Sequence, residues 1–305
     1  MRIQNLVHGA LMAPKWDEPE LAVGSDSKRT ARYRRLQSLW RESVIGLPPG
    51  QDSKGKSIGS WLPEPSASQW LTPVIAAYVE TRVPEALRDG EAIEQKRLRT
   101  NLLSSQPLCF NIFGQFAAQP ESAARVLSRT LDLQIDSVDE VLVEHAPPTA
   151  RTRLGDRTAF DAFVRYTHPD GRGFLGVETK YTEPFSAPEY ESSAYFKATN
   201  DPEGWFSSGS VDIAKATSTN QLWRNCMLAQ LTEQTDMPVT GSVVVLSVRD
   251  DPHADAAVRG MHSILKEPKR RLLHASLEEL TEHALEERTM RAWACMFRSR
   301  YLLTV

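Results

Sequence analysis

The sequence predicts an α/β (α+β) fold, with an αβββαβ core, a mixed central sheet and helical additions at both ends. Three observations carry this. An apolar helical pattern opening near Asn101 precedes three strand-like runs, Val138 to His145, Thr158 to Tyr166 and Gly173 to Tyr181. A second helical pattern, Thr219 to Leu231, follows the third run. A β-branched run, Gly241 to Val248, then reads as a buried strand. Three consecutive strands, a helix and a further strand fit one mixed sheet.

The flanking elements follow in order. Lys28 to Arg41 holds six basic residues and no acid. Leu36, Leu39 and Trp40 recur there at helical spacing and could dock the segment. Asp26 or Ser27 could cap it, and the run from Gly46 to Gly50 ends it. Residues 1–65 thus look like an appendage, and 51–68, rich in Ser, Gly, Lys and Pro, read as loop. Helices are expected over 69–84 and 91–103. Pro107 lies near the first turn of the buried helix, and Pro120 opens the next, which runs to Leu131. Beyond the core, Leu272 to Ala275 is a short strand, and Ser276-Leu-Glu-Glu279 fits a capping box. A last helix, Glu286 to Tyr301, turns Met290, Trp293, Ala294 and Phe297 inward. The expected organisation is a partly basic helical extension over 1–100, a core over 101–250 and C-terminal helical elements over 251–305.

Bulk properties narrow the function. The chain is 41% hydrophobic and 25% charged, as a soluble globular protein is. No run approaches the ~18 apolar residues of a membrane span, and Met1 to His8 lacks a signal-peptide core. A cytoplasmic protein with no membrane partner is expected. The net charge of −3 means that nucleic acid binding would need a local basic patch. The run from Lys28 to Arg41 is either that patch, with Arg29, Arg32 and Arg35 on phosphates, or a solvated helix face. Cys109, Cys226 and Cys295 lie far apart in apolar helical contexts and suit core packing. No His-x-x-x-His pair is present, so a zinc site is not expected.

The chemistry concentrates on Glu178-Thr-Lys180. An acid and a lysine two apart on a strand share one face. Asp161 interrupts the preceding strand-like run, and His168 to Gly173 between them signals a turn. A turn about Asp170 and Gly171 would set Asp161 opposite Lys180 and diagonal to Glu178. Phe160, Ala162, Val164 and Tyr166 would then form one face, and Asp161, Phe163 and Arg165 the other. Leu175 and Val177 would lie opposite Gly176, Glu178 and Lys180. Two carboxylates and an ammonium on one patch can hold a divalent cation and activate a water. A surface hairpin with a cross-strand ion pair is the plainer alternative. Glu144, ending another apolar run, would face Asp161 if the connection is centred near Arg153; it is either a third acid or a strand-end surface residue. Gln221, Arg224 and Asn225 share a helix face, and Gln221 is the one most suited to meet a phosphate. The long segment Thr182 to Thr217, with Pro184, Pro188, Pro202, Gly204 and Gly209, should border the patch. Its Tyr190, Tyr195, Trp205 and Phe206 could stack on a ligand or tuck the segment down.

An αβββαβ core carrying Asp161, then Glu178-x-Lys180 on the next strand, resembles the PD-(D/E)XK nuclease superfamily over residues 101–250. Leu103 to Asn111 and Asn220 to Asn225 are similar to a bacterial restriction-endonuclease branch. The resemblance implies a restriction-endonuclease-like fold and Mg²⁺-dependent hydrolysis of phosphodiester bonds, with Mn²⁺ able to substitute. Asp161, Glu178 and Lys180 match the family's two acids and lysine, and Gln221 joins them as a catalytic residue. Asp161, Glu178 and Glu144 are the expected metal ligands, aided by the Thr179 carbonyl. Double-stranded DNA is the implied substrate, and homodimerisation is left open. The chain departs in having Phe160 where the family name has proline, and Asn225 where some relatives carry tyrosine. One rival is a catalytically inactive module of the same fold that binds nucleic acid or a protein. Another is a metal-free hydrolase using Asp161 and Glu178 as acid and base, which an ion-paired Lys180 would disfavour by keeping both ionised.

Overall fold

The computed structural model describes residues 22–303, except 53, 186–190, 236–238 and 250. Five strands form one sheet in chain order: β1 Ser137–His145, β2 Phe160–His168, β3 Gly171–Lys180, β4 Thr240–Ser247 and β5 Leu272–Ser276. The first three pair antiparallel, and β4 and β5 join parallel, so the sheet is mixed. The crossover from β3 to β4 carries the long segment and a helix, as parallel pairing demands.

Helices cover both faces. Named in chain order, the longer ones are α1 Lys28–Trp40, α2 Pro73–Arg88, α3 Ser105–Ala118, α4 Pro120–Leu131, α5 Asn220–Thr235, α6 Pro252–His262, α7 Leu277–Glu286 and α8 Arg291–Tyr301. Ser27 caps α1 by accepting the Thr30 N–H, and the capping box predicted at Ser276 forms on α7. The last helix begins later than expected, at Arg291, because α7 runs through Glu286 and a turn over 287–290 separates the two. Pro148–Leu154, Ser193–Thr199 and α6 are helices that the sequence pattern does not predict.

Two apolar clusters sandwich the sheet. Ile75, Phe110, Val143, Ala162, Val164, Leu175, Val177 and Trp293 belong to the first, under α2, α3 and α8. Phe160, Phe163, Phe174, Trp223, Val243 and Val245 belong to the second, under α5. Phe160 therefore departs from the expected alternation: it stacks on Phe163, with centroids 5.9 Å apart, rather than joining Ala162. The strand turns over between Phe160 and Ala162, at Asp161. Cys109 and Cys226 are buried as predicted, but Cys295 is exposed on the outer face of α8.

The long segment is tucked down. Tyr195, Trp205 and Phe206 are buried in the second cluster, and Tyr195 donates its hydroxyl to Asp156. Pro188 and Tyr190 lie outside the described residues.

The basic helix α1 is built into the core. Tyr33 is buried, and Leu36 and Trp40 pack on the first cluster. Arg29 donates to the buried Asp251 carboxylate at 2.7 Å and to the Tyr181 carbonyl at 3.1 Å. Tyr181, directly after the last residue of β3, is clasped by both flanking helices. Its hydroxyl accepts from Gln37 Nε2 at 2.9 Å and donates to the Tyr301 carbonyl at 3.1 Å.

Candidate active site

The β2–β3 ladder runs from His168 opposite Gly171 to Ala162 opposite Val177. The turn is thus Pro169-Asp170, and the register differs by two residues from the expected one. Continued, it sets Asp161 opposite Glu178 instead of Lys180. A shift of two preserves which face each residue occupies. Beyond Val177 the Asp161 side chain takes over the pairing. Its Oδ2 accepts the Thr179 backbone N–H at 2.7 Å and the Thr179 hydroxyl at 2.8 Å.

Glu144 stands on the other side of Asp161. The pairs Val143–Ala162 and His145–Phe160 flank that position, so the predicted juxtaposition holds. Glu144 has a left-handed φ of 52°, uncommon for a residue with a side chain. Arg82 of α2 donates to the Val143 carbonyl at 2.8 Å and the Glu144 carbonyl at 2.7 Å. Gln106 of α3 donates its Nε2 to Glu144 Oε1 at 2.7 Å.

Glu178 and Lys180 lie beneath α5. Glu178 accepts from Gln221 Nε2 at 2.7 Å, Asn225 Nδ2 at 2.8 Å and Lys180 Nζ at 2.8 Å. Lys180 also donates to Gln221 Oε1 at 3.1 Å, and the Phe185 ring covers its ammonium, 4.5 Å from the centroid. Gln221 and Asn225 reach the same carboxylate because they sit one helical turn apart.

Charge is crowded here. Burial and then the neighbouring Glu178 charge push the Asp161 carboxyl up to about 7, against the opposing pull of Lys180 and Thr179. Burial and the Asp161 charge push Glu144 up to about 8. Burial works against the Lys180 ammonium, yet Glu178 and Asp161 hold its pKa above the ordinary value. At Asp161 burial thus opposes ionisation while Lys180 favours it.

The structure thus brings Asp161, Glu178, Lys180, Glu144 and Gln221 to one end of the sheet. The three acids do not form a closed cage: among the described residues, no group of three or more His, Cys, Asp and Glu side chains could hold a metal ion. Asn225 joins the site from the helix face that the sequence groups with Gln221, and Gln106 and Arg82 join it as partners that the sequence does not single out. Asn225 has a signal in its spacing from Gln221, whereas Arg82 has none, since its role depends on α2 packing along the outer edge of β1.

A mixed sheet with acids on neighbouring strands and a lysine two residues past the second defines a nuclease-like protein. The chain belongs to the PD-(D/E)XK nuclease superfamily, whose family model matches residues 24–303. The match takes in α1 and α8, well beyond the 101–250 expected, in keeping with the way both helices clasp Tyr181. Among curated proteins and among solved structures, none matches the chain. No helix among the described residues is long and apolar enough to cross a membrane.

Proposed function

We propose that this protein is a divalent-metal-dependent nuclease that hydrolyses phosphodiester bonds of double-stranded DNA. The observation that carries the reading is the clasp of Glu178, Lys180 and Gln221 beside Asp161. A catalytic lysine needs a fixed ammonium, and three contacts fix this one.

The donor set suits a divalent cation. Asp161 and Glu178 supply hard carboxylate oxygens, the kind Mg²⁺ and Mn²⁺ take, in an open pair with Glu144 beside Asp161 rather than a three-acid cage. Two of these acids are crowded enough to be pushed far above the usual carboxylate range, and added positive charge would relieve that crowding. When bound, the cation would supply Lewis-acid polarisation of the phosphoryl oxygen and a more acidic water.

The chain's own residues would do the rest. Lys180 would orient the attacking water or meet the charge developing on the phosphoryl group. Gln221 and Asn225 hold Glu178, and through it the lysine, in position. Thr179 fixes Asp161 with two hydrogen bonds, so its free oxygen has one direction to face. Phe185 keeps bulk water off the ammonium.

Purified protein incubated with supercoiled and linear DNA in Mg²⁺, Mn²⁺ or EDTA tests this. Metal-dependent nicking lost in Asp161→Ala is the expected result. DNA binding without cleavage under every metal would favour an inactive module instead.

A further inference from the structure

We propose that a cleft beside the candidate site receives one unstacked nucleobase of the substrate, an adenine or a cytosine, and reads its amino edge. This rests on the nuclease reading above and adds to it a source of sequence preference.

The first observation is a pair of orphaned atoms on one cleft. Asp89, Glu91, His145, Ala146, Pro148 and Arg151 are among the residues lining a cavity of about 370 Å³. Glu91 is only 5% exposed, and its Oε1 is used twice, accepting the Ala146 N–H at 3.2 Å and an Arg151 N–H at 2.9 Å. Its Oε2 is buried without a hydrogen-bond partner among the described residues, and so is Nε2 of His145. A buried polar atom left unpaired costs roughly 1–3 kcal/mol. Two of them on one cavity mark a place for a polar ligand.

The second observation is that both groups are held in place. The Arg151 and Ala146 contacts fix the carboxylate, and the His145 ring leans on Phe163, with centroids 5.2 Å apart. The third is position. His145 directly follows Glu144, and the short helix Pro148–Leu154 that lines the cleft lies in the connection from Glu144 to Asp161. A nucleotide with its phosphate at the acids would have this cleft for a neighbour.

The exposed chemistry selects the base. A carboxylate oxygen accepts, and an imidazole Nε2 carrying the ring proton donates. Adenine and cytosine each set an amino N–H beside an unprotonated ring nitrogen, which matches that order. Thymine would press a carbonyl oxygen against the carboxylate. Enzymes that take a base out of the stack read this same pairing edge in a pocket.

Saturation-transfer NMR on the full chain in EDTA, titrated with deoxycytidine, deoxyadenosine and thymidine, tests this without cleavage. The first two should bind about tenfold tighter than thymidine. In Glu91→Gln the Ala146 and Arg151 donors would keep the amide oxygen and turn its NH₂ to the cleft, so the preference should reverse toward thymidine. Thr152→Trp, an exposed change on the lining of the cleft, should abolish binding of all three. An unchanged preference in Glu91→Gln would overturn the readout. Equal binding of the three nucleosides, or none, alongside metal-dependent DNA cleavage would overturn the inference and leave the nuclease reading intact, the cleft holding water only. Selective binding by a chain that cuts no DNA under any metal would support the pocket and sink the nuclease reading.

Discussion

Arg82 donates one nitrogen to the carbonyl of Glu144 and another to that of Val143, at 2.7 and 2.8 Å. One guanidinium thus satisfies the outer edge of β1 and fixes a strained backbone at the site. Edge strands leave such carbonyls without ladder partners. Tyr78 of the same helix treats the edge likewise, donating to the Val141 carbonyl and accepting the Val143 N–H, both at 3.0 Å.

Arg82→Met should therefore destabilise the protein by about 1–3 kcal/mol for each carbonyl left without a donor. Urea denaturation in EDTA measures this. An unchanged midpoint would mean that water satisfies the edge as well as the guanidinium does.

Lys180 should matter to cleavage more than to DNA affinity. A donor placed where charge develops is typically worth about 10²–10³ in rate. Lys180→Ala should lose cleavage by about that factor and still shift DNA in a gel. Cleavage at the wild-type rate would make the lysine structural.

The raised acids predict a pH dependence of the metal-free protein. An acid whose folded pKa lies above its unfolded one keeps its proton longer when folded. Its contribution to stability is complete below the unfolded value, near 4, and is lost as pH rises through about 7 for Asp161 and about 8 for Glu144. Glu144→Gln removes one such acid. In EDTA its stability relative to wild type should improve from pH 4.5 to pH 8.5 by up to a few kcal/mol, since a tenfold change in proton affinity is worth about 1.4 kcal/mol. Parallel pH profiles for the two proteins would show that Glu144 is not crowded.

The basic helix divides into inward and outward charges. Arg29 is committed to Asp251 and the Tyr181 carbonyl, so it is withdrawn from the phosphate contacts that the sequence suggests for it. Arg29→Met should lower stability, since Asp251 is buried and would lose its ion-pair partner, keeping only the backbone N–H groups of His253 and Ala254. It should leave the salt dependence of DNA binding unchanged. Neutralising the exposed Arg32 and Arg35 together should instead lower the salt slope by roughly one unit for each phosphate they neutralise. An equal slope in both variants would remove α1 from the DNA interface.

The strand order and the meeting of Asp161, Glu178 and Glu144 are legible in the sequence because both rest on local patterns: apolar runs, turn residues and period-two alternation. The register is not, and differs by two residues. Asp170-Gly171 reads as the turn centre, but Pro169 decides otherwise. Its fixed φ suits the first central position of a turn, with Gly171 closing it. Gly171, at φ 138°, then serves as the first residue of β3. The tucking-down of Tyr195 and Trp205 is one of two readings that the sequence leaves open, because burial against α5 depends on the returning chain. Gln106 and Arg82 are invisible as partners for a similar reason, since each reaches β1 from a helix with no sequence relation to it.

The clasp on Tyr181 has a consequence for how this protein is made. Gln37 lies far before the motif in sequence and Tyr301 far after it, and both hold the hydroxyl of Tyr181, the residue that follows Lys180. On the ribosome, β3 emerges long before α8, so a nascent chain carries every residue of the acid–acid–lysine motif without the support behind it. Seating Tyr181 must wait until translation has passed Tyr301. Chains that stop before Tyr301 would thus carry the whole motif without one of the two contacts that seat Tyr181 behind it.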